Sequence, residues 1–153
     1  MARAPIQVMV FPYRKSVSGH EFAVFNRSAS VRERGEDFWQ CVSGGAEATE
    51  TPLQAAIRES REEARIPPDA HFTQLDSTFT VPSRFRKNNG WGPDVYVIKQ
   101  YVFGVGVDGE IALSDEHVAY RWLVYDEAID LLKLQTNAFA LEELRLRLER
   151  NDL

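Results

Sequence analysis

The sequence predicts an α/β fold, a mixed sheet with helices on both faces. Three observations carry this. Strand-like segments fill the middle of the chain, a helix with a complete start signal lies between them, and a second helical pattern closes the sequence. Strands interleaved with helices in this way have both sheet faces to bury. The 153 residues fit one domain, and 44% apolar content is enough for its core.

Taken in order, Pro5 to Arg14 reads as a strand and Glu21 to Arg27 as a second. Lys15-Ser16-Val17-Ser18-Gly19 joins them as a turn. A loop of mixed charge, Ser28 to Asp37, follows. Next comes a short apolar piece, Phe38 to Val42, ending in Ser43-Gly44-Gly45. Thr51-Pro52 is the clearest helix start. Threonine can cap free backbone N–H groups, proline suits the first helical position, and Gln54 completes a capping box. That helix is expected to run to Ala64 and stop before Pro67-Pro68. Strands follow at Thr73–Val81, Val95–Val107 and Val118–Val124. A short helix fits Asp126–Leu132, and Phe139–Glu149 carries Leu141, Leu144 and Leu148 at helical spacing.

Several function classes drop out. No apolar run reaches the roughly 18–20 residues of a membrane span. The start shows no secretory pattern. The single cysteine, Cys41, allows no internal disulfide and no cysteine-rich zinc site, so a reduced, cytoplasmic setting is expected. A net charge of −5 argues against a nucleic-acid polymer as partner. Gly104-Val105-Gly106-Val107-Asp108-Gly109 fits a dinucleotide-binding pattern literally. No helix signal follows it, so it reads as a strand end and turn. His20, His71 and His117 are isolated and support no histidine metal site.

The chemistry concentrates in the Thr51 helix. At about 100° per residue, Leu53, Ala56, Ile57, Ser60 and Ala64 share one arc, the face expected to pack on the sheet. Glu59, Glu62 and Glu63 fall beside it, and Arg58, Arg61 and Arg65 take the rest. Three carboxylates so close repel one another by roughly 0.2–0.5 kcal/mol per exposed pair. A hard divalent cation would offset that repulsion, as would neighbouring arginines.

The wider spacing decides more. Gly44, five residues, Glu50, seven residues, then Arg58-Glu59-Ser60-Arg61-Glu62-Glu63-Ala64-Arg65-Ile66 matches the pattern G-x5-E-x7-R-E-U-x-E-E-x-G-U, with U aliphatic. Six fixed positions agree, which at roughly one in fifteen each arises by chance about once in ten million placements. The chain therefore resembles the Nudix hydrolases. Ser60 and Arg65 depart from the pattern, where an aliphatic residue and glycine are usual. Arg65 would cost about 1–2 kcal/mol if left-handed.

The resemblance implies an α/β/α sandwich around a mixed sheet. It also implies hydrolysis of a nucleoside diphosphate linked to another group, with Mg²⁺ or Mn²⁺. By position, Glu59, Glu62 and Glu63 would bind metal and activate water, Arg58 would orient one of them, and Ser43 would lend a carbonyl. Asp37–Gln40, Glu116–Leu123 and Thr136-Asn137 resemble the dihydroneopterin triphosphate pyrophosphatase subfamily of bacteria. Glu116 then joins the metal site, Arg27 binds substrate, and Arg3 matches a basic residue near the start. Either Glu59 or Glu116 would act as base. Arg84, Arg86 and Lys87 form a basic cluster that reads as a solvated loop or a phosphate contact. Trp39 and Trp91 read as stacking faces or as packing. The expected partner is a small phosphorylated molecule, and the resemblance is compatible with a homodimer. Rival readings are a dinucleoside polyphosphate or nucleotide-sugar hydrolase, a non-catalytic nucleotide-binding module, and a protein whose acidic helix is a docking face.

Overall fold

The computed structural model describes residues 3–27, 38–85, 91–114 and 117–153. The first strand, β1 (Arg3–Ser16), turns at Val17-Ser18 into β2 (Gly19–Arg27). Two short strands follow, β3 (Trp39–Gln40) and β4 (Val42–Glu47). Helix α1 covers Pro52–Ala64. Then come β5 (Phe72–Pro82), a single 3-10 turn at Ser83–Phe85, β6 (Val97–Gly106) and β7 (His117–Leu123). Helices α2 (Tyr125–Leu131) and α3 (Gln135–Glu149) end the fold. Among the described residues no helix is long and apolar enough to cross a membrane.

The sheet is mixed, as expected. β1 runs parallel to β6, and among the described residues the other strand-to-strand pairings are antiparallel. The order is β3-β2-β1-β6-β5, with β4 also on β1 and β7 on β2. One long strand thus serves two partners along one side. Its first half pairs with β4 and its last residues with β2.

Both sheet faces are buried, and strand alternation sorts the side chains between them. Val8 and Val10 of β1, with Ala23 and Phe25 of β2, pack with Ala55, Ala56 and Ala64 of α1. Met9, Phe11 and Tyr13, with Phe22 and Val24, pack with Ala128 of α2 and Leu141 and Leu144 of α3. The α/β/α sandwich follows from this alternation.

Three local expectations need correction. The strand before α1 does not stop at Ser43-Gly44-Gly45 but continues through the glycines to Glu47. Its ladder with β1 uses backbone groups, which glycine also has. Helix α3 starts at Gln135, ahead of the apolar periodicity, and Asn137 in its first turn is buried with its side-chain carbonyl accepting from Cys41. The buried arc of α1 is Ala55, Ala56, Glu59, Ser60, Glu63 and Ala64. On the helical wheel this is turned by about 60° from the expected arc, toward the acidic stripe. Leu53 stays 45% exposed. Small residues let α1 lie close to the sheet, and the glutamates are carried in with it. The literal glycine motif is a packing feature, since a Cβ on Gly104 would collide with Leu144.

Helix α1 exits through Arg65, whose φ of 57° and ψ of 32° are left-handed. Arg65→Gly is therefore expected to raise stability by about 1 kcal/mol, because glycine adopts that conformation without a Cβ penalty. Urea unfolding of the two proteins measures it, and an unchanged or lower midpoint would contradict it.

Helix α3 is tied to the irregular part of β5. Glu143 accepts hydrogen bonds from the backbone N–H groups of Asp76 and Ser77, both at 2.7 Å, and from the Ser77 hydroxyl at 2.6 Å. Arg147 donates to it at 2.8 Å. Burial opposes ionisation of Glu143, but the Ser77, Asp76 and Arg147 donors outweigh it and hold its pKa below the usual value. A lowered folded pKa means the contribution is complete above the unfolded carboxylate range and fades as pH falls through the folded value. Glu143→Gln is expected to cost about 1–2 kcal/mol at pH 7. The gap between variant and wild type should narrow below pH 4 in denaturant titrations, and a gap independent of pH would refute the assignment.

Candidate active site

The site is built where α1 meets β4. Thr51 caps the helix as its sequence indicates. Its hydroxyl accepts from Gln54 N–H at 3.2 Å, and the Gln54 side chain accepts from Thr51 N–H at 2.9 Å. Just before the cap, the Glu50 carboxylate accepts from Glu47 N–H at 2.8 Å, which closes the strand-to-helix turn.

Arg58 then gathers the surroundings. Its Nε and Nη2 donate to the two oxygens of Glu50 at 2.7 and 2.9 Å, a fork-on-carboxylate pair. Nη2 also donates to the Gly45 carbonyl at 2.9 Å. Nη1 donates to Glu59 at 2.8 Å and to Glu62 at 3.3 Å. One side chain thus joins the turn, the strand and two glutamates of the helix. The hydrogen bond to Glu50 raises the Arg58 pKa and lowers that of Glu50, so both stay ionised.

The carboxylates differ in depth. Glu59 is 9% exposed and Glu63 2%. The Glu62 side chain is 54% exposed. The Glu59 carboxyl rests on Gly44, where any Cβ would overlap it. Gly44 faces Val8 across the ladder, and Ser43 faces Met9. Beside them the Arg3 guanidinium lies over Gly45, with Nη1 3.2 Å from where a Cβ would stand.

The remaining candidates are dispersed. Arg84 is exposed on the 3-10 turn after β5. The neck of its loop is closed by Ser83, which donates from Oγ to the Val95 carbonyl at 2.7 Å and from N–H to Tyr96 at 2.9 Å. Trp39 is 5% exposed in the core under α2 and α3, and the Arg121 guanidinium sits 4.7 Å over its ring. Glu116, Arg86 and Lys87 lie outside the described residues, as does the Arg27 side chain, although the Arg27 backbone pairs with His117. Sequence reasoning missed the role of Glu50 as the main partner of Arg58. The match of Glu50 to the spacing pattern was the available signal.

The donor set suits a hard divalent cation in its chemistry. It offers three carboxylates on one helix face, two of them buried, against a strand whose glycine leaves room for one carboxyl. Among the described residues, no three acidic, histidine or cysteine side chains already converge as a metal-binding group.

Comparison with known proteins gives the family. The NUDIX domain model matches residues 5–145. A dihydroneopterin triphosphate diphosphatase of Haemophilus influenzae is 32% identical over 125 residues, covering 78% of each chain. An asymmetrical bis(5'-nucleosyl)-tetraphosphatase of Sus scrofa is 36% identical over 112 residues, covering 71% of each. Among solved structures, a provisionally assigned NUDIX hydrolase of Listeria monocytogenes superposes with a TM-score of 0.84 at 34% identity, covering 97% of both chains. With its α/β/α fold, its complete acidic helix and a family match over most of its length, this chain belongs to the NUDIX family, as one of its hydrolases.

Proposed function

We propose that this protein is a divalent-metal-dependent pyrophosphohydrolase that cleaves a nucleoside or pterin triphosphate to a monophosphate and pyrophosphate. The observation that carries this reading is the acidic face of α1, seated on Gly44 and braced by Arg58. The residues that would hold Mg²⁺ or Mn²⁺ are Glu59, Glu62, Glu63 and Glu116, with the Ser43 carbonyl. The bound ion would supply charge stabilisation to the phosphate oxygens during in-line displacement.

The chain's own residues do the rest. Arg58 holds Glu59 against β4, and Glu59 or Glu116 accepts the proton of the attacking water. Arg27 and Arg84 contact the anionic substrate, and Trp39 offers an aromatic face to its ring. The pterin end of the range is supported by the Haemophilus relative. The Sus scrofa relative supports a second reading, hydrolysis of dinucleoside polyphosphates. Nucleotide sugars share the same chemistry. A non-catalytic binding module is disfavoured because every acidic position of the spacing pattern is filled. We place the enzyme in the cytoplasm, acting on a small phosphorylated molecule and not on membranes or nucleic-acid polymers.

A turnover screen tests this. The protein is given nucleoside triphosphates, dihydroneopterin triphosphate, dinucleoside polyphosphates and nucleotide sugars, each with Mg²⁺ and with chelator. The expected result is pyrophosphate release from a triphosphate, abolished by chelator. Binding without cleavage of any of them would favour the binding module.

A further inference from the structure

We propose that the segment from Ile111 to Ser114 is a positioning clamp for the acidic helix and sets how tightly its site holds a divalent cation. This rests on the metal-dependent reading above. The last carbonyls of a helix have no partner within it. In α1 two of them are taken by this segment. Ala112 N–H donates to the Ala64 carbonyl at 3.3 Å, and Ser114 N–H donates to the Glu63 carbonyl at 3.2 Å.

The two donors are alternate residues, as along one edge of a strand. Between and beside them the segment is anchored by apolar contact. Ile111 is 5% exposed in the cluster that includes Ala55, Ala56 and Ala64, and Leu113 packs against the same cluster. Upstream, the Glu110 carboxylate accepts from the Tyr120 hydroxyl at 3.2 Å.

The two ends of α1 are braced differently. Its start has the capping box and the Arg58 network. Its end turns left-handed at Arg65, immediately after Glu63 and Ala64, so no further turn of helix supports Glu63 from below. The clamp supplies that support from another part of the chain. Glu63 is buried, so small shifts of its backbone carry its carboxylate directly. Cation binding and clamp closure are then coupled, and coupling between two binding events is reciprocal.

The first test uses the unmodified protein. Amide hydrogen exchange at Ala112 and Ser114 is followed with and without Mg²⁺. Exchange there is expected to slow about tenfold with Mg²⁺, while amides at the β1–β2 hairpin tip stay unchanged. Equal rates with and without the ion would overturn the clamp. The second test is Ser114→Pro, which removes the N–H donor, beside Ser114→Ala, which keeps it. Mn²⁺ affinity is read from the spin resonance of the free ion. Ser114→Pro is expected to weaken it about tenfold and Ser114→Ala by less than threefold. Wild-type affinity in a folded Ser114→Pro protein would also overturn the proposal. If that variant does not fold, the exchange measurement decides alone. A wild-type protein that neither binds Mn²⁺ nor cleaves any phosphoanhydride would sink the metal-dependent reading itself. Mn²⁺ binding by wild type and Ser114→Pro alike would sink only the clamp.

Discussion

Glu63→Gln is expected to lower turnover about a thousandfold while leaving the fold intact. Glutamine keeps the size of the side chain, so the packing of a residue only 2% exposed is preserved. What is lost is the negative charge on the inner part of the acidic face, where water is excluded and electrostatic interactions are strongest. Removing one such charged group from an active site costs about 10²–10⁴ in rate. Turnover of the best substrate measures the effect, and circular dichroism with urea unfolding checks the fold. Glu62→Gln should cost less, because its side chain is 54% exposed and already shared with Arg58. A Glu63→Gln enzyme within tenfold of wild type would remove Glu63 from the site.

Gly44→Ala should have the next largest effect, about a hundredfold in kcat/KM, although it adds a single methyl group. That methyl would occupy the space of the Glu59 carboxyl. The strand cannot yield easily, because Gly44 is paired with Val8 in the ladder. Glu59 must therefore swing away, which also strains its hydrogen bond to Arg58. Misplacement of a catalytic group by about 1 Å can cost about 10²-fold. Gly109→Ala is the control, since a Cβ there meets nothing within 4 Å. If the two variants have equal kcat/KM, the seat for Glu59 is not where the geometry puts it.

Much of this was legible before any coordinates. Thr51, Pro52 and Gln54 mark the start of α1 by contacts among near neighbours, and the helix spans Pro52–Ala64 as they indicate. Pro5 to Arg14 and Glu21 to Arg27 read as strands joined by a turn, and both strands form. The spacing of Gly44, Glu50, Arg58, Glu59, Glu62 and Glu63 pointed to the NUDIX family, and the family model matches residues 5–145.

Other features were not legible. Choosing the packing arc of α1 by polarity put Leu53 on it and Glu59 and Glu63 beside it, whereas the packed helix buries both glutamates and leaves Leu53 exposed. The start of α3 was hidden because Gln135-Thr136-Asn137 carries no apolar period, and Asn137 is buried by a contact with Cys41 96 residues away. The tie between Glu143 and the backbone of Ser77 spans 66 residues and leaves no local trace.

The sequence alone determined the order of strands and helices, the capped acidic helix and the family of the site, because each depends on residues a few positions apart. Tertiary structure alone decided how deep each carboxylate lies, that Arg58 spends its fork on Glu50, that Trp39 packs beneath Arg121, and that Ile111–Ser114 closes the helix end. Burial and partner choice are set by whichever distant backbone lies against a side chain, and that is known only once the layers have packed.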